Sequence, residues 1–573
     1  MILKRALYWG FPALFCVALY WHGLKAWFQM DDFAWLGLHT QVHDFSSFLS
    51  ALFRPMAQGT VRPLSERLFF LSFWEWFGMD ALPYRLLVFA TQFANLALMA
   101  GIVRRLTGSA VAGLVAPLLW LASPVLYLPM VWTSAYNQIL CAFFLLLAFF
   151  LLLRFVDSGR TRSYCGMWAA FLLGFGALEL NVVFPAIACL YTALFARRYV
   201  RAVAPMFLVS VAYTLWHRSV GQGLASSFYA MDYSPLSLLA VFGRYAWLAV
   251  SASPAARLRG VDPRWMDASS AAALLALVAF VGAMVWRREW LAVFLAGWFG
   301  ITIAPYLPLA RHVSDYYLTV PAIGLAMLGG WAFAIGMQRG LATKVIAVLA
   351  VLLFALPCAW HERVLSEWYA AKSRRVRAMV RGVAAAHSRH PNRWVILHGV
   401  DEDLFWNGLY DKPEVALGWR PLYMTAETQP MISPVLEEDI SEHFLPPPVT
   451  IRALERKQAV VYDVSGARLR NISGTYLRLR SQSDDAMALP SFVDAGNALF
   501  ATFLQDGWYG LTGGIRWMSQ RATLQLGGTV NAGSTVRLRG RVTPEHTASQ
   551  PLAVTVYVND VNAGTQRVAR GRT

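Results

Sequence analysis

The sequence predicts a polytopic α-helical membrane protein of about eleven transmembrane helices, followed by an exported C-terminal region that is part α/β and part all-β and sandwich-like. Three observations predict it. Of 573 residues, 57% are hydrophobic and only 14% are charged, against about 25% charged in a soluble domain. The 35 Phe, 22 Tyr and 23 Trp are rings that settle at membrane–water boundaries. Apolar stretches of crossing length, about 17–25 residues, recur up to residue 360 and then stop. The net charge of +17 would point to nucleic acid on a soluble chain. On a membrane chain it is first an orientation signal, and no nucleic-acid partner is expected.

The apolar stretches lie near 7–24, 82–103, 109–127, 136–153, 164–179, 182–196, 202–216, 268–286, 290–307, 316–336 and 342–360. The first, preceded by Lys4-Arg5, reads as a retained anchor, because no small-residue cleavage site follows it. The stretch 236–252 is apolar but interrupted by Arg244, and it is left out of the count. With the N-terminus cytoplasmic, the short inner loops hold fourteen basic residues against Asp157 and Glu289, while the outer segments before residue 361 balance eleven against eleven. The positive-inside rule is thereby met, and an odd number of crossings exports the C-terminal third. The expected location is the inner (plasma) membrane. The five cysteines (Cys16, Cys141, Cys165, Cys189, Cys358) all fall in apolar stretches, so no disulfide framework is expected outside.

Residues 1–360 form the membrane domain, and its first outer loop, 25–81, is long. FSSFLSALF (45–53) and LSERLFFLSFWEWFG (64–78) have helical apolar periodicity and read as helices in the interface, packed on the bundle or both. Residues 361–490 are an exported helix and α/β region. A basic amphipathic helix covers 361–387, a strand covers 393–400, and 459–473 resembles a hairpin. Residues 491–573 alternate apolar and polar positions between turns and predict a small sandwich-like module. The acidic runs Asp401-Glu402-Asp403 and Glu437-Glu438-Asp439 read as solvated loops in preference to calcium sites.

Charged groups near the outer boundary are costly unless paired or used. Asp31-Asp32 directly follows the first apolar stretch. One reading is a helix N-cap and first-turn acid. The other is a carboxylate pair in which one member deprotonates an acceptor hydroxyl while its neighbour, Asp32, binds a metal or orients the acceptor. Glu179 sits at the outer tip of a tight hairpin with no basic neighbour in sequence. Arg311-His312 opens a polar segment running to Asp315, and its guanidinium suits a lipid phosphate or a snorkelling end. Arg62, Arg218 and Arg244 are further outer cations, and His22 and His217 read as interfacial polar tips.

Several segments then form an ordered pattern: Asp31-Asp32, Arg62-Pro63-Leu64, Tyr84-Arg85-Leu86, Asn95, Arg104-Arg105-Leu106-Thr107-Gly108, Glu179 with Pro185, and 317–324. Over roughly residues 1–340 this order resembles the GT-C superfamily of membrane glycosyltransferases, notably its protein O-mannosyltransferase-like branch and the bacterial aminoarabinose transferases. The resemblance implies a polyprenyl-phosphate sugar donor used outside the membrane with inversion, and Asp31 or Asp32 as catalytic base. It also implies outer cations at the donor phosphate, with Arg311 the best match and His312 and Arg244 beside it. Glu179, Arg62 and Arg218 are the remaining substrate-site candidates. In relatives the acid at the position of Glu179 often follows a basic residue, and here Leu178 precedes it. The implied partners are the lipid-linked donor, a glycan, lipid or protein acceptor, and membrane lipids. No cofactor is required, and a divalent metal is compatible with the pattern. Nucleotide chemistry is not expected, since neither common glycine-rich phosphate loop is present. The competing readings are a flippase or transporter for a lipid-linked glycan, which would place ionisable groups near the bilayer midplane, and a non-catalytic assembly factor.

Overall fold

A computed structural model describes residues 2–56, 59–221, 229–433, 440–466, 468–480, 489–512, 515–527, 535–540, 542 and 552–568. The chain is mostly helical and ends in a strand-containing region. Five helices among the described residues are long and apolar enough to cross a membrane: Ala81–Thr107, Tyr136–Ser158, Arg197–Val220, Arg264–Trp286 and Leu341–Arg389. Shorter apolar helices, Tyr8–Leu19, Ala110–Ala122, Glu179–Phe195, Trp290–Tyr306 and Pro321–Met337, occupy five more of the expected stretches. The stretch at 164–179 is the helix Thr161–Gly174. The stretch left out of the count is also helical, over Pro235–Leu248.

The bundle separates its faces as a lipid-solvated fold does. Gly330 lets Pro321–Met337 lie directly on Ala110–Ala122: a Cβ there would stand 2.7 Å from the Ala116 Cβ and 3.0 Å from the Ala112 carbonyl, the small-residue approach that membrane helices use. In contrast, Leu349, Leu353 and Leu356 along one side of the last apolar helix are exposed. That helix is one 49-residue rod, Leu341–Arg389, with Pro357 inside it. At 1.5 Å per residue it extends about 74 Å, so the last crossing and the basic amphipathic helix expected after it are a single element. Burial begins at Pro357 and continues outward, where the rod leaves its lipid-facing half and becomes the support of the α/β region.

In the first outer loop, Asp32–Leu36 runs into a 3-10 turn, Gly37–Gln41. Phe45–Phe53 follows, started by a reciprocal capping box between Asp44 and Ser47. A π-turn, Pro63–Leu68, then leads into Phe69–Phe77. Phe45, Phe53 and Trp76 are exposed, as an interfacial position requires.

The α/β region is a five-stranded sheet in the order β3-β2-β1-β4-β5. Its strands are β1 (Trp394–His398), β2 (Tyr423–Thr425), β3 (Phe444–Leu445), β4 (Ala459–Asp463) and β5 (Arg470–Asn471). The first four are parallel, with Trp394 to His398 opposite Ala459 to Asp463, and β5 is antiparallel. Continuous apolar runs in β1 and β4 fit strands covered on both faces. Asp401 caps the helix Glu402–Gly408, accepting from the Leu404 amide at 2.9 Å, and Asp403 pairs with Lys372. These acids hold structure, while Glu437-Glu438-Asp439 lies outside the described residues.

Residues from 487 onward are a separate compact unit. It contains two antiparallel hairpins, β6–β7 (Trp508–Thr512 with Ile515–Met518) and β8–β9 (Leu552–Val558 with Val561–Val568). Asn559 and Asp560 both take positive φ between the last two, the geometry of a two-residue primed turn. A sandwich is not formed by the described strands. The two sheets stay two-stranded, and residues near 524, expected as a strand, make only one isolated bridge, Leu504 to Leu524.

Candidate active site at the first outer loop

The adjacent acids at the start of the first loop have unlike surroundings. Asp32 is fully buried. Its Oδ1 accepts from the Ser134 amide at 2.7 Å and the Ser134 hydroxyl at 2.6 Å, and its Oδ2 accepts from the Gln29 amide at 3.0 Å. Burial pushes its carboxyl up to about 7 against the pull of these donors and the Arg85 charge. Both oxygens are thus committed to protein donors, which does not fit a metal ligand, and no group of three or more potential ligand residues occurs among the described residues.

Asp31 precedes the helix Asp32–Leu36 but makes no side-chain cap. It is exposed at the surface yet has Glu66 and Arg62 within electrostatic reach. Desolvation and the nearby Glu66 charge push that carboxyl up to about 6, while a backbone bond and Arg62 act in the opposite sense. The backbone that aims it is unusual. Met30 has φ of +53°, costly for an unbranched residue, and its amide is tied to the Asn407 carbonyl at 2.8 Å.

Arg62, Glu66 and Glu179 form the second part. Arg62 Nε donates to both Glu179 oxygens at 3.0 and 2.9 Å, and its Nη1 donates to Glu66 Oε1 at 2.6 Å. Pro63 holds Arg62 out of the helical region, and the π-turn behind it brings Glu66 back under the guanidinium. Glu66 is 2% exposed. It also accepts from Asn137 at 3.3 Å, and its Oε2 has no partner among the described residues. Arg67 turns the other way, 4.4 Å over the Trp35 ring, and donates to Met56 Sδ and the Thr60 carbonyl. A wall of rings faces this network: Tyr306 stacks on Tyr317 at 4.3 Å, and Tyr316 packs edge-on to Trp132. Tyr316 lies within electrostatic reach of Asp31, and Tyr306 and Tyr317 lie within reach of Arg62.

The remaining candidates are spread more widely. The guanidinium that Asp31 feels is that of Arg62. Arg311 is exposed and forms no ion pair among the described residues. His312 packs against Tyr229 and Tyr317, which links it to the ring wall. Arg244 is exposed on Pro235–Leu248, and the buried Tyr245 beside it lies within reach of Arg244 and Asp315. Asp315 accepts from the Tyr127 hydroxyl. Arg218 is exposed near the end of Met206–Gly221 and meets none of these groups.

Two residues absent from the sequence reading belong here. Glu66 looked like part of an interfacial helix, and only the π-turn turns it inward. Asp411 comes from the α/β region. Desolvation and the charges of Asp31 and Asp32 push its carboxyl up to about 8, so three acids from two regions share one neighbourhood. No sequence signal joins residues so far apart.

No family model matches the sequence, and no curated protein matches it. Among solved structures, the chain is similar to ArnT from Cupriavidus metallidurans bound to undecaprenyl phosphate, at 13% identity over 82% of this chain and 95% of that one, with a TM-score of 0.43. It is also similar to the oligosaccharyltransferase of Archaeoglobus fulgidus in the apo form, at 12% identity over 80% of this chain and 69% of that one, with a TM-score of 0.45. A second structure of that archaeal enzyme, with an inhibitory peptide and a dolichol-phosphate, gives 12% identity over 80% and 69%, with a TM-score of 0.41. ArnT and the archaeal enzyme are GT-C membrane glycosyltransferases.

Proposed function

We propose that the protein is a GT-C-type glycosyltransferase that moves a sugar from a polyprenyl-phosphate donor to an acceptor hydroxyl at the outer face of the membrane, with Asp31 as general base. The observation that carries this reading is the division of the acid pair. Asp32 is locked by three donors, whereas Asp31 is exposed, makes no side-chain cap and has its carboxyl raised to about 6. A base poised near working pH is what proton abstraction requires.

In the reaction, the acceptor oxygen attacks the anomeric carbon from the face opposite the phosphate, and its proton passes to Asp31. The bond between that carbon and the phosphate oxygen breaks, and the lipid phosphate leaves with the electron pair, so the sugar inverts. Negative charge grows on the leaving phosphate, and cations fixed beforehand stabilise that transition state. Arg311, exposed and without an ion pair among the described residues, has its fork available for the phosphate, with His312 and Arg244 as further outer groups. Arg62, within electrostatic reach of the base, holds Glu66 and Glu179 in place. The membrane orientation that serves this chemistry has the N-terminus cytoplasmic and the α/β region exported.

The test is mass spectrometry of cell-envelope glycans from cells carrying the wild-type chain, Asp31→Asn or no chain. The reading expects the Asn variant to insert normally and to lose the same glycan species as the deletion. A wild-type glycan profile in that variant would overturn it.

A further inference from the structure

Beside Asp31 lies a cavity of about 340 Å³ walled by two regions of the chain. Phe33, Ala34, Gly37 and Gln41 of the first outer loop form one wall, and Tyr410, Asp411, Lys412, Val415, Glu442 and His443 of the α/β region form the other. The volume falls in the range of small-ligand sites, about 300–1,000 Å³.

Its lining has a definite chemistry. Tyr410 offers a half-buried ring, the buried Phe33 backs the loop wall, and Gln41 and Asp411 offer polar atoms at the side. Lys412 is held to Glu442 at 2.8 Å, and burial pushes His443 down to about 4, so its ring is neutral. The one cation of the lining is therefore spoken for, the Asp411 carboxyl is pushed up to about 8 and brings a hydrogen-bonding group without a positive charge, and the Asp31 carboxylate nearby repels an anion. An aromatic ring next to hydrogen-bonding carboxyl and amide groups suits a neutral polyol, whose flat C–H face stacks and whose hydroxyls need close partners. Position supports the same role. The helix carrying Phe33 and Ala34 begins immediately after Asp31, and Asp411 on the other wall lies within electrostatic reach of Asp31, so the cavity adjoins that carboxyl. Lys412, next to Asp411, is held at φ of +52°, so each wall fixes its acid with a strained neighbour, and strain of this kind concentrates at functional sites.

We propose that this cavity is the acceptor subsite, that it takes an uncharged saccharide, and that Asp411 is the α/β region's positioning residue there. The proposal rests on the transfer reading for its role as acceptor site, but its binding claim stands apart from catalysis.

The experiment uses the full chain in detergent micelles, with methyl α-glucoside, methyl α-mannoside, methyl α-galactoside and maltotriose as probes, read by saturation-transfer NMR. At least one saccharide is expected to bind the wild-type chain. Asp411→Asn is expected to weaken it about tenfold, and Ala34→Trp, which fills the cavity, to abolish it. Asp31→Asn is expected to keep saccharide binding, so loss of turnover with binding retained supports the subsite and the base separately. If Asp31→Asn turns over normally while the cavity variants lose binding, the subsite survives and the proposed base does not. A serine-containing hexapeptide and an anionic lipid vesicle serve as comparison probes. Binding of either in place of every saccharide overturns the proposal, as does saccharide binding that Ala34→Trp leaves unchanged, or no binding at all.

Discussion

Asp31 and Asp32 are neighbours with unlike surroundings, and the difference predicts different losses. Asp32→Ala leaves the Ser134 amide and hydroxyl and the Gln29 amide without their acceptor, at about 1–3 kcal/mol for each buried group. A clearly lower thermal midpoint is expected. Asp31→Asn removes no structural bond from the side chain, so the midpoint should hold while transfer falls by about 10²–10⁴-fold. Equal midpoint losses in a scanning fluorimetry comparison would contradict the division. Because the Asp31 carboxyl sits up at about 6 and the proposed base works only when deprotonated, activity should fall as pH drops through about 6. Glu66→Gln removes a charge that raises that carboxyl, so the acid limb should move to lower pH. A limb unmoved in the pH profile would separate Glu66 from the base. The sequence makes the pair legible as an acid pair, but it does not tell the members apart. Their difference is made by Ser134, 102 residues away. The guanidinium within reach of Asp31 is that of Arg62, set beside the turn Pro63–Leu68, and a π-turn is invisible to a 3.6-residue periodicity.

At the scale of elements, the site is made by two close contacts. The first is the joint between Arg62 and the hairpin carrying Glu179, 117 residues apart. Its fork geometry is specific to arginine. Arg62→Lys offers a single ammonium where two carboxylates require three hydrogen bonds, so a loss of about 1–3 kcal/mol in stability is expected, read as a lower denaturation midpoint. The second joint lays the 3-10 turn Gly37–Gln41 against Pro413–Ala416. A Cβ on Gly37 would stand 3.7 Å from the Val415 Cβ, inside the range of about 3.5–4.5 Å that a disulfide spans. The double variant Gly37→Cys, Val415→Cys should therefore close a bond on air oxidation, seen as a mobility shift that reductant reverses. Failure to close would mean the α/β region does not rest on the loop. This joint was illegible in sequence. Each element's type could be read from its own periodicity, but docking depends on a glycine's missing side chain and on strain at Met30 and Lys412. The C-terminal alternation identifies strands, and two hairpins are among the described residues; alternation alone does not say how such strands pair into a sandwich.

For the whole molecule, one hydrogen bond constrains the membrane path. The Met30 amide bonds the Asn407 carbonyl, so the first loop and the α/β region share one side, and the number of crossings between them must be even. The stretches counted after the first satisfy this, since there are ten. Adding Pro235–Leu248 would make eleven and put the two bonded residues on opposite faces. The energetics agree. That helix has 14 residues, about 21 Å at 1.5 Å each, and it carries an exposed Arg244, which at the bilayer centre costs at least about 2.5–3.5 kcal/mol. Parity fixes a shared side but not which side. The proposed choice follows the positive-inside rule, by which the arginines of the short loops, such as Arg104, Arg105, Arg287 and Arg288, assign the opposite ends of the helices to the cytoplasm. A phosphatase that is active only after export, fused after Thr573, should therefore be active, and so should one inserted in the exposed turn at His43, because both report the same face. Activity at only one of the two positions would break the parity argument. Silence at both, with a cytoplasmic reporter active instead, would invert the orientation and leave the site facing a compartment where the proposed chemistry would need another donor.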